Sequence, residues 1–521
     1  MKNTKNAIND ATVKSYYEIL DRYKAGKASL EGRIIENEEW WRMRSQKSTR
    51  GDNSSTGWLF NSIINKHADA MDNLPTVSFL PREAGDTAAS RLLSDIVPVI
   101  LEENKFESTY SACWYDKLKS GTACYGVFWD PTLDGGIGNV DIRRIDLLNL
   151  FWEPGVSDIQ KSKMVFHVEL QANDSLAKKY PLLKDHLSAP DFTVSRYFSE
   201  EASPTEDKSC VIDCYYKKAE GKREVVHFCK FCNGILLYSS ENDERYANRG
   251  FYDHGKYPFI LDTLYPVQGS PCGFGVIDAM KNTQGQIDAL SSAIVKNARM
   301  AAERRYFVRS DGALNEKEFA DFTRPFVHYH GSGDPSASIM PITSPLLSDV
   351  YVSVLREKID ELKETSGNRD FSQGTASGGV TAAAAIAALQ EAGSKTSRDM
   401  ISSTYRAFEE VCALIVCLIG QFYTVPRCFR ITGVGGMHSF VYCSRDELSP
   451  LSARFPVYDI KIRAHKRSAY SQAAANELAM QLYKMGLFSP DNIAQASLCL
   501  SIMDFEGKDE IISKLSETDR S

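Results

Sequence analysis

Between residues 276 and 365 two long runs of helical periodicity flank a short insert, and neither run has enough apolar surface to be covered by the other alone. In the first, Val276 to Glu303, the residues Ile277, Met280, Ile287, Ile294 and Ala298 fall on one stripe, with Asp278, Gln284, Asp288 and Asn297 assigned to a polar face. In the second, Leu346 to Thr365, the apolar face is Leu347, Val350, Val354, Leu355, Ile359 and Leu362. At 1.5 Å per residue the helices are about 40 and about 30 Å long. They can lie antiparallel, with the 42-residue insert 304–345 at their far end. In it RRYFVRS reads as a strand, NEKEFADF as a small helix, PFVHYH as a second strand, and GSGDPSAS as a turn-rich connection. So thin a hairpin needs more partners, and the same hairpin in neighbouring copies supplies them.

The flanking sequence predicts an α+β, multidomain chain. Residues 12–48 read as a helix, and Ser54 and Ser55 are placed to cap a second one ending near Asp72. A strand at Thr76–Leu80 and helices at Ala88–Lys105 and Phe106–Ser120 follow. From Gly121 the period changes to two, through CYGVFWD, VDIRRI, NLFWEP, MVFHVEL, Cys210–Tyr216 and Val225–Tyr238, with Asn233-Gly234 as a turn. After the hairpin, Ser366–Gly379 is small, polar and Gly-rich, and reads as a mobile loop. Val380–Phe422 then reads as a third helix of about 40 residues with Gly393-Ser394 as a candidate kink. Strands CFRITG, SFVYCSR and PVYDIKIRAH follow, then helices at Ala469–Met485 and Asp491–Met503.

Several function classes are disfavoured. The most apolar run, Val411–Gly420, is too short for a bilayer, so it reads as a buried helix and no membrane partner is expected. Met1–Asn9 lacks the apolar core of a signal peptide, and twelve scattered cysteines then read as free thiols. A net charge of −7 argues against tight gripping of phosphates. The run GTASGGVT lacks the lysine of a nucleotide-binding loop, and no G-x-S-x-G or H-E-x-x-H occurs. No catalytic residue and no cofactor are expected. Cys210, Cys214, Cys229 and Cys232, with His227 nearby, have spacings compatible with zinc, but Cys210, Ile212 and Cys214 alternate along one strand face as core residues would, and buried free thiols are the preferred reading. A zinc-dependent nucleic-acid enzyme is one rival reading, and a different kind of structural subunit is a second. Asp349, Glu357, Asp360, Glu361 and Glu364 make the second helix acidic, either as a solvated face or as a lining that repels phosphates.

Three segments, NSSTGWLFNSIINKHADAMDNLPTVSFLP at 53–81, GSPCGFGVIDAMKNTQGQIDALSSAIVKNA at 269–298 and ETSGNRDFSQGTASGGVTAAAAIAALQEAG at 364–393, resemble the portal proteins of tailed bacteriophages, of the siphophage type. The resemblance covers nearly the whole chain. It implies a wing at 1–265 continued at 380–467, stem helices at 266–303 and 346–365, a clip at 304–345, a tunnel loop at 366–379 and a crown at 468–521. It further implies a ring of twelve copies at one capsid vertex, assembled in the host bacterial cytoplasm, with genomic double-stranded DNA passing through it in packaging and ejection. Implied partners are the terminase, a head-completion adaptor, and the major capsid and scaffolding proteins, with catalysis left to the terminase. Arg369, Asp370, Phe371, Ser372, Gln373 and Thr375 would meet DNA in the channel, and Arg304, Arg305, Arg309, Glu316 and Lys317 would serve docking at the clip.

Overall fold

The computed structural model describes residues 8–44, 56–187, 192–197, 207–220, 223–302, 305–310, 314–321, 323–332, 334–337, 339–342, 348–367, 395–432, 438–445, 458–466, 469–486, 493–503 and 511. The chain opens on the long helix α1 (Asp10–Trp41), whose first amides are capped by the Asn9 side chain. The helix stops at Arg42, and Met43 turns to a positive φ of 55°, seven residues short of the expected end. α2 (Trp58–Met71) leads into β1 (Asn73–Pro81), then α3 (Thr87–Glu103) and α4 (Phe106–Ser120). Leu74-Pro75 thus lies inside β1, which starts three residues earlier than the expected strand Thr76–Leu80.

Two sheets follow. β2 (Thr122–Asp130) is the centre of a three-stranded antiparallel sheet between β3 (Asn139–Arg144) and β9 (Phe259–Thr263). β4 (Leu150–Trp152), β5 (Met164–Ala172), β6 (Lys208–Glu220), β7 (Arg223–Cys232) and β8 (Ile235–Ser239) form a five-stranded meander, with α5 (Asn173–Lys179) between β5 and β6. Asn233 and Gly234 both take positive φ in the β7–β8 turn, as an Asn-Gly hairpin requires. The strand β9 was missed by the sequence reading, which saw only the alternation before residue 240.

One face of the meander, carrying Ile212, Cys214, Tyr216, Cys229 and Phe231, is covered by the first half of α1 through Val13, Leu20 and Tyr23. The other face joins the main core with α2, α3, α4 and the three-stranded sheet. Lys27, on α1, is buried where the helix crosses β4, its ammonium donating to the Leu150 carbonyl at 2.8 Å and to the Leu147 carbonyl. Burial pushes this lysine down to about 8, against the pull of Glu31.

After the projecting hairpin the chain returns to this core. The described part of the third long helix, α9 (Lys395–Phe422), buries Phe408, Val411, Cys412, Ile415, Val416 and Ile419 against it. VCALIVCLIG is therefore core, and among the described residues no helix is long and apolar enough to cross a membrane. Residues 380–394, with the candidate kink at Gly393-Ser394, lie outside the described residues. The ribbon β12 (Arg427–Thr432) and β13 (His438–Cys443) comes next. β14 (Tyr458–Lys466) then pairs antiparallel with β1 over nine positions, from Asn73↔Lys466 to Pro81↔Tyr458. Helices α10 (Ala469–Lys484) and α11 (Ile493–Ile502) meet each other through Ala479 and Cys499.

Candidate assembly site

The projecting element begins at a cramped junction. Gly121, the residue after α4, has a φ of +87°, and a Cβ there would stand 2.2 Å from the backbone of Phe274. Gly273 faces the Tyr265 carbonyl as closely, at 2.1 Å. Gly273 and Gly275 of YPVQGSPCGFG are thus set by close approach of two backbones, which no side chain tolerates. From this junction α6 (Val276–Ala302) departs. Asp278 reaches back to the Gly275 amide at 3.0 Å, accepts from Asn37 Nδ2 of α1 at 3.0 Å, and stands 3.7 Å from Lys281.

Six and ten residues further on, Gln284 and Asp288 are 2% and 1% exposed, so the expected polar face is turned inward here. Its partners are backbone groups of Thr56 and Leu59 and the Thr56 hydroxyl. Asp288 Oδ1 accepts from the Thr56 amide at 2.9 Å and the Thr56 hydroxyl at 2.8 Å. Gln284 Oε1 accepts from the Leu59 amide at 3.1 Å, while its Nε2 donates to the Thr56 carbonyl at 2.9 Å. The start of α2 has Gly57 at the N-cap and no capping side chain of its own. α6 supplies the cap in its place, and Ser54 and Ser55, expected in that role, lie outside the described residues. This anchor was missed by the sequence reading.

Beyond Asp288 no residue of α6 is buried. The helix leaves the body there, with Val295 and Met300 exposed. The tip is a ribbon of β10 (Arg305–Val308) and β11 (Ile339–Ile342), with Tyr306↔Pro341 and Phe307↔Met340 as partners. PFVHYH is therefore not the second strand: residues 325–330 contribute one isolated bridge, Leu314↔Tyr329, and the pairing goes to IMPI, where the proline had hidden the strand. A short helix α7 (Glu316–Ala320) sits between, tied to the loop after it by Glu318 Oε2, which accepts from the His328 amide at 2.8 Å. His328, with the helix residue Phe319 packed edge-on to Tyr306 at 5.0 Å, completes the fold of the tip.

The return helix α8 (Asp349–Ser366) is capped by Ser348, whose hydroxyl accepts from the Val350 amide, with Asp349 in its first turn. Replacing Ser348 by Ala is expected to cost about 1 kcal/mol, read as faster amide exchange confined to residues 349–353. Leu362 is buried against the body, and Leu355 and Ile359 pack partly against it. Val350, assigned to the inward stripe, is 63% exposed, with Tyr351 and Val352 exposed beside it. Glu357, Asp360, Glu361 and Glu364 form an exposed acidic face on the second half of the same helix.

Arg305 and Arg309 are exposed at and just after β10, and Glu316 and Lys317 on the first turn of α7, all at the far end of the hairpin. Arg304 and the loop residues Arg369, Asp370, Phe371, Ser372, Gln373 and Thr375 lie outside the described residues. The cysteines divide between two faces of the meander: Cys210, Cys214 and Cys229 point towards α1, and Cys232 the opposite way, beside Val211, Leu176 and Leu183. Residues three apart on a strand point to opposite sides, so Cys229 and Cys232 do not converge. Among the described residues no three His, Cys, Asp or Glu side chains stand close enough to share a metal ion.

The chain is an α+β body with an anchored, largely uncovered helical hairpin. The sequence matches the model of the phage P22-like portal proteins over residues 62–257 and 220–520, and the chain belongs to that family. Portal proteins are structural components of the virion. The match is to the P22-like branch and does not speak to the siphophage-type subtype. No curated protein matches the chain.

Proposed function

We propose that the chain is one of about twelve copies in a ring at a single capsid vertex, and that the ring is the channel for genomic DNA during packaging and ejection. On this reading α6 and α8 are the stem, the β10–β11 tip with α7 is the clip that docks the terminase and the head-completion adaptor, and residues 366–379 are the tunnel loop. The main body is the wing, which meets the capsid and scaffolding proteins, and the last two helices are the crown.

The observation that carries the reading is where the uncovered apolar side chains lie. Val295, Met300, Phe307, Phe326, Met340, Val350, Tyr351 and Val352 are all exposed on this one projection. A lone soluble chain rarely concentrates apolar surface in this way without covering it by a partner. The acidic face of α8 supports a conduit, since carboxylates do not hold passing phosphates, and the chain's net charge of −7 agrees.

The test is direct imaging. Negative-stain micrographs of the purified full chain should show rings with an axial hole, and light scattering should give a mass about twelve times that of one chain. A monodisperse monomer at tens of micromolar would sink the reading.

A further inference from the structure

The described part of α9 enters the body at one definite place, and a buried charge sits there. Arg398 and Asp399 are exposed, Met400 is buried, and from Met400 to Tyr423 one face of the chain is covered. Beneath this first covered turn lies Lys117 of α4, fully buried. Its ammonium stands 2.7 Å from Asp262 Oδ1 of β9 and donates to the Met400 carbonyl at 3.1 Å. It also meets the Ser403 hydroxyl at 2.6 Å and the Thr404 hydroxyl at 2.7 Å. Thr404 in turn donates to Asp262 Oδ2 at 2.6 Å, and the ring of Trp114 lies 4.8 Å from the ammonium. Three elements far apart in sequence meet at one knot, and all the contacts from α9 come from its first covered turn and a half.

An ion pair here is a poor device for stability alone. Taking both charges out of water costs several kcal/mol, and well-packed apolar side chains usually do as well. What directional bonds supply, and apolar contact does not, is register. Below the knot α9 meets the core mainly through the apolar Phe408, Val411, Cys412, Ile415 and Ile419, and its further polar ties include Tyr405 to the Asn73 carbonyl at 2.9 Å and, at the far end, Gln421 to the Phe251 carbonyl at 2.9 Å. Above it the chain leads back to the Gly-rich segment 366–379.

We propose that Lys117 is a positioning residue for the channel: with Asp262 it locks the rotation and axial register of α9 where the helix enters the body, and so fixes where the preceding loop is held. This rests on the portal-ring reading, since only a ring gives that loop a channel to face.

The test removes the two α9 hydroxyls from the knot. In the full chain, Ser403→Ala with Thr404→Val keeps side-chain volume and leaves the Lys117–Asp262 pair intact. Rings are expected to form as in the unmutated chain, amide exchange across residues 398–410 to rise at least tenfold with the remainder unchanged, and DNA packaging to fall at least tenfold. Thr404→Ser, which retains the hydroxyl, is expected to behave as the parent. Should the double variant not fold, Thr404→Val alone is read the same way. Rings with unchanged exchange at 398–410, or raised exchange with full packaging, overturn the inference alone. An unmutated chain that forms no rings overturns the portal-ring reading and this inference with it.

Discussion

Carrying Val350→Asp and Val352→Asp together, the chain is expected to stay folded and to form no rings. Both side chains are exposed in the single chain, at 63% and 40%, so neither substitution opens a cavity. Surface changes of this kind usually move stability by no more than about 0.5 kcal/mol. Both positions also lie in the first turn of α8, beside Asp349, where a negative charge is favoured by the helix dipole. Assembly is affected quite differently. Each valine covered by a neighbour contributes about 1.5 kcal/mol, and an unpaired carboxylate in its place costs several kcal/mol more to desolvate. The sum is about 5 kcal/mol or more at every interface, and each 1.4 kcal/mol is tenfold in affinity. Each contact is then weakened by more than about a thousandfold, and a closed ring repeats that loss at every contact. Circular dichroism should be unchanged while light scattering reports a monomer. Rings persisting at the parent's protein concentration would show that the hairpin stripe is not the contact. Val350→Leu, which keeps the apolar surface, should assemble normally.

The elements that periodicity made legible are those with one clean covered face. The α3–α4 pair and the alternating strands of the meander carry such a face, and the hairpin helices, covered only near the body, were legible from their length and apolar stripe; the structure places all of them close to the residues expected. What periodicity could not show is what comes from the other end of the chain. β1 finds its partner in β14, nearly four hundred residues away, and local pattern has no term for that. β11 contains Pro341, which local rules count against a strand, although it pairs with Tyr306 at the edge of a two-stranded ribbon where a missing amide is tolerated.

The polar residues of the candidate site misled for a related reason. Gln284 lies seven residues after Ile277 and four after Met280, squarely on the apolar stripe, yet its polarity assigned it to solvent. Its position was the better guide, because a buried polar side chain on such a stripe must have partners of its own. Chief among those partners are the Leu59 amide and the Thr56 carbonyl at the start of α2, backbone groups that every residue type carries and that sequence therefore does not reveal. Lys117 is hidden in the same way: it sits four residues before Gly121 at the end of α4, where a lysine is ordinarily a solvated complement to the helix dipole. The channel-loop residues rest on the family resemblance alone.

The anchor makes a second large prediction. Asp288→Ala is expected to destabilise the attachment of the hairpin by about 3 kcal/mol, and Asp288→Asn by only about 1. A single oxygen of Asp288 accepts from the Thr56 amide, the Thr56 hydroxyl and Gln284 Nε2, the last at 2.8 Å, in a site with almost no access to water. Alanine leaves those donors buried without their acceptor, and a desolvated donor left unsatisfied costs about 1–3 kcal/mol. Asparagine keeps an oxygen at the same place and loses only the charge, which the start of α2 favours by a few tenths to about 1 kcal/mol. The two variants thus separate the acceptor from the charge. In alanine exchange, amides of residues 57–61 should open about a hundredfold faster, in line with 3 kcal/mol of local opening. The body should keep its protection, because the main core does not pass through this contact. Equal effects from alanine and asparagine would mean that the charge and not the hydrogen bonding holds α6 to α2. Unchanged exchange in both would mean that the apolar contacts of Ile277, Met280 and Ile287 hold the hairpin unaided. The expected result places the direction in which the hairpin projects under the control of two polar side chains, so that every copy presents its uncovered stripe at the same angle, which a closed assembly of identical contacts requires.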